Sequence, residues 1–578
     1  SDPRKEARFV AAETMLVRNG GWQELKKTLK EHKEPVARLH AFWALVGPLR
    51  INSEEYLNTA MEDSVPEIRA EAAAQTGEFA VNLPIELQPP KKVKPPEGIT
   101  SRVSLGMRIV GLAIGDPKPG VRLRAWEALA KMFSGEIYTG LELDDPFIAN
   151  ATIAFLAKSA YLEKRFDAVS STKYRLGILL AQRRARFYLE IPKHLNDADP
   201  AVRRAAIQWV AEEGLRDYEP HVDKAATKAP VTREVFEAWL AAKELLANPD
   251  NIKDANKELG GDAFVLKIVN DAKQPAAFRA MALRMLPPNH GKLTVPGLVA
   301  FTKDSDKALQ TEAVKTLAWR NNAQAQKALR ELALDPKLAS DLRRDAIVGL
   351  ALSAPTDAET RKALVSLAKE PDFAADARRG LRGLPAPEGA LKSLGPANTE
   401  ELKEQNMLML GLPEANVKLE SPRPKNTAEW QKLLLALKGD PVAGERVFFH
   451  SKGPRCYSCH RIDGRGEAVG PDLSRIGAAQ DRKKLIESIL EPSKEIAPAF
   501  TTWLVTMRDG KQHTGVIALE SFDSTVALVD AQGKRTVLKI TDIEDRVAQK
   551  TSIMPADLHG MMTRQEFADL LAFLESRK

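Results

Sequence analysis

Apolar residues recur at helical spacing from Ser1 to about Lys438, and from about Phe500 to Ile540 they alternate with polar ones instead. Within the first region one layout keeps returning: a turn containing Asp or Pro, then an amphipathic stretch that carries Arg. It reads Asp63-Ser-Val-Pro-Glu-Ile-Arg69, Asp116-Pro-Lys-Pro-Gly-Val-Arg122, Asp199-Pro-Ala-Val-Arg203, Gln274-Pro-Ala-Ala-Phe-Arg279, Asp335-Pro-Lys-Leu-Ala-Ser-Asp-Leu-Arg343 and Asp372-Phe-Ala-Ala-Asp-Ala-Arg378. An Asp before a helix accepts from the unpaired N–H groups of the first turn, and a Pro there loses no hydrogen bond. Each stretch has one apolar stripe and cannot form a core alone, so the pattern predicts stacked helix pairs, a solenoid. The alternating segments are Thr502–Arg508, Thr514–Glu520, Thr525–Asp530 and Thr536–Ile540, with Asp509-Gly510 and Gln532-Gly533 supplying turns. They predict four strands forming a small β-barrel-like insert at about 500–546. Gly439 to Phe449 reads as a capped amphipathic helix. A last helix, from Thr563 to Arg577, places Phe567, Leu570, Leu571 and Leu574 on one side, with Thr563 as N-cap and Glu566 completing a capping box.

The repeated layout resembles HEAT repeats, expected here over residues 1–384 as degenerate copies with insertions. Pro84 to Pro96 lacks periodicity, so a break in the array is expected at 84–97. The irregular stretch 385–426 reads as a linker, and 427–578 as a second domain. Hydrophobic residues at 44% and charged residues at 28% are ordinary for a globular protein, and no stretch approaches the roughly 18 consecutive apolar residues of a membrane helix. The net charge of +7 is a small excess, and no run of five or six Lys/Arg marks a nucleic-acid arm. The chain starts at Ser1-Asp2 with neither Met nor an apolar leader, read as a processed form or an excised piece.

The chain has two Cys, and they sit three apart, followed by His: Cys456-Tyr-Ser-Cys459-His460. Two thiols at this spacing reach the two vinyl groups on one side of a porphyrin, and the adjacent His approaches the iron, so the motif predicts one covalent haem c. A redox pair would want a thioredoxin-like strand-to-helix context, and a zinc site a second ligand pair; neither is evident. An electron carrier takes a sixth iron ligand, and a thioether there raises the potential relative to two imidazoles. Candidates are Met507 and His513, on predicted strands, and Met554, His559, Met561 and Met562. Met554 is preferred, because a loop Met followed by Pro has little packing role. Arg455, Arg461, Arg465 and Arg475 are candidates to pair with haem propionates or form a docking rim. His450 reads as a surface residue.

Gly439-Asp440, Gly444, Phe448, the C-x-x-C-H motif, Gly470-Pro471-Asp472-Leu473 and Met554-Pro555 together resemble a class I cytochrome c over residues 427–578. The resemblance implies that the Gly444/Phe448 helix crosses the terminal helix near Phe573. It also implies that the Pro471 carbonyl accepts the other ring N–H of His460, with His460 and Met554 as iron ligands. Met554 lies 94 residues beyond His460, farther than in simple members, and the β insert accounts for the excess. With Leu490-Glu-Pro-Ser-Lys and the HEAT-like array included, the whole chain resembles the haem-binding proteins abundant in planctomycetes and verrucomicrobia. Many relatives carry a β-propeller resembling sugar dehydrogenases; none is present in these 578 residues, so that enzymatic role is not carried over.

The expected fold is therefore mainly α: a HEAT-like helical solenoid followed by a class I cytochrome c domain with a β-barrel-like insert. The expected function is single-electron transfer through one covalent haem, not bond-making catalysis, with the repeats docking a redox partner such as a sugar or alcohol dehydrogenase. The resemblance implies a periplasmic or otherwise exported protein. Two other readings stand beside it: a haem-based enzyme or sensor whose sixth ligand is open or displaced, and a HEAT-repeat assembly hub.

Overall fold

A computed structural model describes residues 10, 14–15, 20–46, 53–81, 102–132, 140–158, 171–247, 261–384, 393–521, 524–531 and 533–578. The break expected at 84–97 lies outside them. The chain is mainly helical, with one small antiparallel sheet near its C-terminal end, and divides into two compact units at Lys257/Glu258.

In the first unit the recurring Asp and Arg explain why successive turns look alike. Asp63, Asp116 and Asp197 each precede an Arg by six residues. That Arg folds back on its own turn: Arg69 donates to Asp63 O at 2.8 Å, Arg122 to Asp116 O at 3.0 Å and Arg203 to Asp197 O at 3.0 Å. Each Asp closes the turn by accepting a backbone N–H two residues on, from Val65, Lys118 and Asp199. The Asp also receives an Arg from a helix earlier than the one it follows, as in Arg38–Asp63 at 2.8 Å, Arg69–Asp116 at 2.7 Å and Arg175–Asp197 at 2.8 Å. Burial alone would raise the Asp63 and Asp116 carboxyls, but Arg38 and Arg69 outweigh it and hold both below the usual range. Apolar stripes including Phe42, Leu57, Ile68, Ala72, Trp126 and Leu156 join in one core.

The second unit holds both the later repeats and the whole of 427–578, so the stretch 385–426 lies inside it. That stretch is not an irregular linker throughout: Glu400–Leu410 is a helix, capped by Thr399 and ended by Gly411 at φ 62°. Beyond it come helices Thr427–Ala436, Pro441–Phe448 and Arg482–Leu490, the sheet, and the terminal helix Arg564–Glu575 with its Thr563/Glu566 capping box.

The sheet has five strands rather than four: β1 Thr502–Met507, β2 Gln512–Ser521, β3 Thr525–Val529, β4 Arg535–Lys539 and β5 Ile543–Ala548, in the order β4-β3-β2-β1-β5. The fifth escaped sequence reading because Ile543-Glu-Asp-Arg-Val-Ala breaks the alternation with charge. A flat sheet would put its edges about 19 Å apart, at about 4.8 Å per strand. The single turn Ile540–Asp542 carries the chain from β4 at one edge to β5 at the other, a span of at most about 14 Å. The sheet must therefore curl toward closure.

The helix Pro441–Phe448 crosses the terminal helix at close range because Gly444 has no side chain. A Cβ there would run into the Asp569 carbonyl and lie 2.8 Å from Phe573 Cβ. Beside the crossing, the Phe448 and Phe573 rings are 5.8 Å apart. Asp569 accepts from the Asp440 N–H and from Gln565, both at 2.8 Å, but burial outweighs these bonds and pushes its carboxyl up to about 6. The folded form thus holds a proton that the unfolded form releases near pH 4. The stabilisation is fully present below that pH and is lost as pH rises through about 6, an effect of about 2–3 kcal/mol. Asp569→Asn should flatten this slope, read from urea unfolding at pH 4.5 and pH 8.

Candidate functional site

Cys456 to Ser458 form a single 3-10 turn, entered through Arg455 at φ 55° and closed by the His460 N–H donating to Cys456 O at 2.8 Å. The turn sets both thiols and the imidazole on one short segment. Cys456 is unbridged and packs on the cluster built from Phe448, Leu485, Ile486 and Phe567. Burial pushes its thiol up to about 12 and raises that of Cys459 as well. An activated redox pair has a depressed thiol, so the local electrostatics run against that use.

His460 Nδ1 lies 2.9 Å from Pro471 O, the contact implied by the cytochrome resemblance. A carbonyl only accepts, so Nδ1 carries the proton; in the neutral ring the lone pair is then on Nε2, the usual condition for metal ligation. Burial lowers the His460 pKa, and the Pro471 carbonyl offsets this only in part. The ring lies against Gly470, where a Cβ would be 2.6 Å from His460 Cε1.

Met554 is half-buried against the same cluster as Cys456, Tyr457, Leu473 and Ile476. Its loop is tied down by Met554 N–H to Ser552 Oγ at 3.1 Å and Ser552 N–H to Ser493 Oγ at 3.0 Å. Among the other candidates, Met562 is fully buried core and Met561 is 49% exposed. His559 stacks edge-on to Trp430 at 5.6 Å. Met507 and His513 sit on β1 and β2.

The four arginines separate. Arg465 is buried, and one of its terminal nitrogens is held by Glu312 and Thr316 of a repeat helix. Arg461 is half-buried, and its Nε meets no acceptor. Arg455 and Arg475 are exposed, and no hydrogen bond or ion pair reaches either guanidinium among the described residues. His450 is not at the surface: the chain around Arg379, Arg382 and Glu566 covers it completely, and burial together with those arginines holds its pKa well below the usual value.

Four helices of the repeats meet this region. Arg284 lies 3.5 Å from Asp463, Lys315 pairs with Glu445 at 2.7 Å, Arg446 with Asp345 at 2.7 Å, and Arg379 and Arg382 converge on Glu566. Trp319 ends one repeat helix and packs edge-on to Tyr457, the residue after Cys456, at 5.1 Å. Sequence reading did not single out Trp319, and nothing local to it indicates this contact.

Residues 263–351 match the family model for HEAT repeats. The repeats facing the Cys456–His460 turn are thus HEAT repeats, which accounts for the shared Arg geometry of Arg279 and Arg343, donating to Val269 O at 2.9 Å and Ala333 O at 2.8 Å. No curated protein matches the chain. No helix among the described residues is long and apolar enough to cross a membrane.

Proposed function

We propose that residues 427–578 form a c-type cytochrome domain that holds one covalent haem and transfers single electrons, with the HEAT repeats as its scaffold. The observation that carries this reading is the His460 Nδ1–Pro471 bond beside two unbridged thiols on one turn. The residues fit the group: Cys456 and Cys459 for thioether attachment, His460 Nε2 as one iron ligand and Met554 as the other. Haem supplies a one-electron couple. Pro471 fixes the imidazole and makes it a better ligand, Gly470 leaves room for its ring, and the surrounding apolar cluster excludes water. Arg475, Arg455 and Arg461, each with unclaimed donors, are available to propionates or to an incoming protein. The partner in this reading is a redox protein, such as a sugar or alcohol dehydrogenase, and the compartment is the periplasm or its equivalent.

The test is production in a host that matures c-type cytochromes, followed by acid–acetone extraction and intact mass. Haem should stay with the polypeptide in the parent and be lost in the Cys456→Ala/Cys459→Ala double variant. Extraction of all haem from the parent would defeat the proposal.

A further inference from the structure

Between the HEAT helices and the Cys456–His460 turn lies a cavity of about 200 Å³. Its walls include Trp319, Val348 and Leu352 from the repeats and Phe449 and Tyr457 from the second region. The Trp319 ring is 5.1 Å from Tyr457 and 6.1 Å from Phe449, so three aromatic side chains meet at one wall.

Arg284, Lys315, Arg446 and Arg465 line this space, against Asp345 and Glu445. Lys315 is matched by Glu445 and Arg446 by Asp345, both at 2.7 Å, and Arg446 also meets Asp341 at 2.9 Å. Arg284 and Arg465 share the buried carboxylate of Glu312, and Arg284 also lies 3.5 Å from Asp463. Arg465 is only 4% exposed, yet its Nε and Nη1 find no acceptor among the described residues, and the same is true of Ser451 Oγ on the lining. Buried donors of a charged group demand an acceptor.

We infer that this cavity binds a small aromatic monocarboxylate, its carboxylate on Arg465 and Ser451 and its ring among Trp319, Phe449 and Tyr457. The space would admit about six waters, at about 30 Å³ each, but mostly apolar walls give few of them partners. Drug-sized ligands need larger pockets. A carboxylate answers the unpaired guanidinium and hydroxyl donors together, and a planar ring suits the walls. The inference does not depend on the haem reading.

The test is calorimetric titration of the full chain with benzoate, then with benzamide, which keeps the shape but not the charge. Benzoate should bind at one saturable site, benzamide at least tenfold more weakly. Val348→Phe, which fills the cavity without touching an ion pair, should abolish benzoate binding while helical circular dichroism is kept. Ser451→Ala should weaken it at least threefold, and decides the matter if Val348→Phe does not fold. Absence of saturable benzoate binding, equal affinity for benzamide, or undiminished binding in a folded Val348→Phe or in Ser451→Ala would overturn the inference.

Discussion

Glu566→Ala should cost about 3–5 kcal/mol of unfolding free energy, because it strands two buried guanidinium groups. Arg379 and Arg382 both end on the Glu566 carboxylate, and Gln405 donates to it at 2.7 Å. All three partners are less than a tenth exposed. Burial alone would raise the Glu566 pKa, but Arg382 and Arg379 hold it well below the carboxylate range. The neighbouring Glu401 bears the opposite consequence: burial and the Glu566 charge push its carboxyl up to about 7. Glu566 also receives the Thr563 N–H at 2.9 Å, so the same side chain caps the terminal helix and anchors it to the repeats. Glu566→Gln keeps the cap and should cost less than Glu566→Ala. Urea unfolding of the three proteins measures the order, and a Glu566→Ala loss below about 1 kcal/mol would show that the buried network contributes little.

Gly444→Ala should destabilise by about 2–4 kcal/mol, opposite in sign to helix propensity, which favours Ala over Gly by about 1 kcal/mol. The added Cβ meets the Asp569 carbonyl and Phe573, and backbone atoms cannot swing aside as a side chain can. Gly111, exposed in the helix Arg102–Gly115 and with nothing within 4 Å of its missing Cβ, provides the control. Gly111→Ala should gain up to about 1 kcal/mol. A gain at both positions in thermal or urea unfolding would refute the close crossing of the two helices.

What could be read from the sequence was local. The capping box at Thr563 and Glu566, the apolar side of the terminal helix, and the Asp-then-Arg turns all have partners within a few residues, so their chemistry is written in one stretch. The Cys456–His460 motif is of the same kind. The second role of Glu566 was not readable, since Arg379 and Arg382 lie more than 180 residues away. The partner of Arg465 was not readable for the same reason: Glu312 belongs to a repeat. His450 looks exposed just after a short helix and becomes buried only when the repeats and the terminal helix close over it. The helix Glu400–Leu410 was hidden among Pro and Gly, and β5 among charges.

The absorption spectrum of matured protein, oxidised and reduced, with its pyridine haemochrome, tests the central claim most directly. The account predicts one haem per chain with both vinyl groups saturated, and a weak long-wavelength band from thioether ligation of the ferric iron that disappears in Met554→Ala. A haemochrome without saturated vinyls, or no haem at all, would contradict it; covalent haem that lacks the band and binds carbon monoxide readily would replace the electron carrier with a sensor or enzyme.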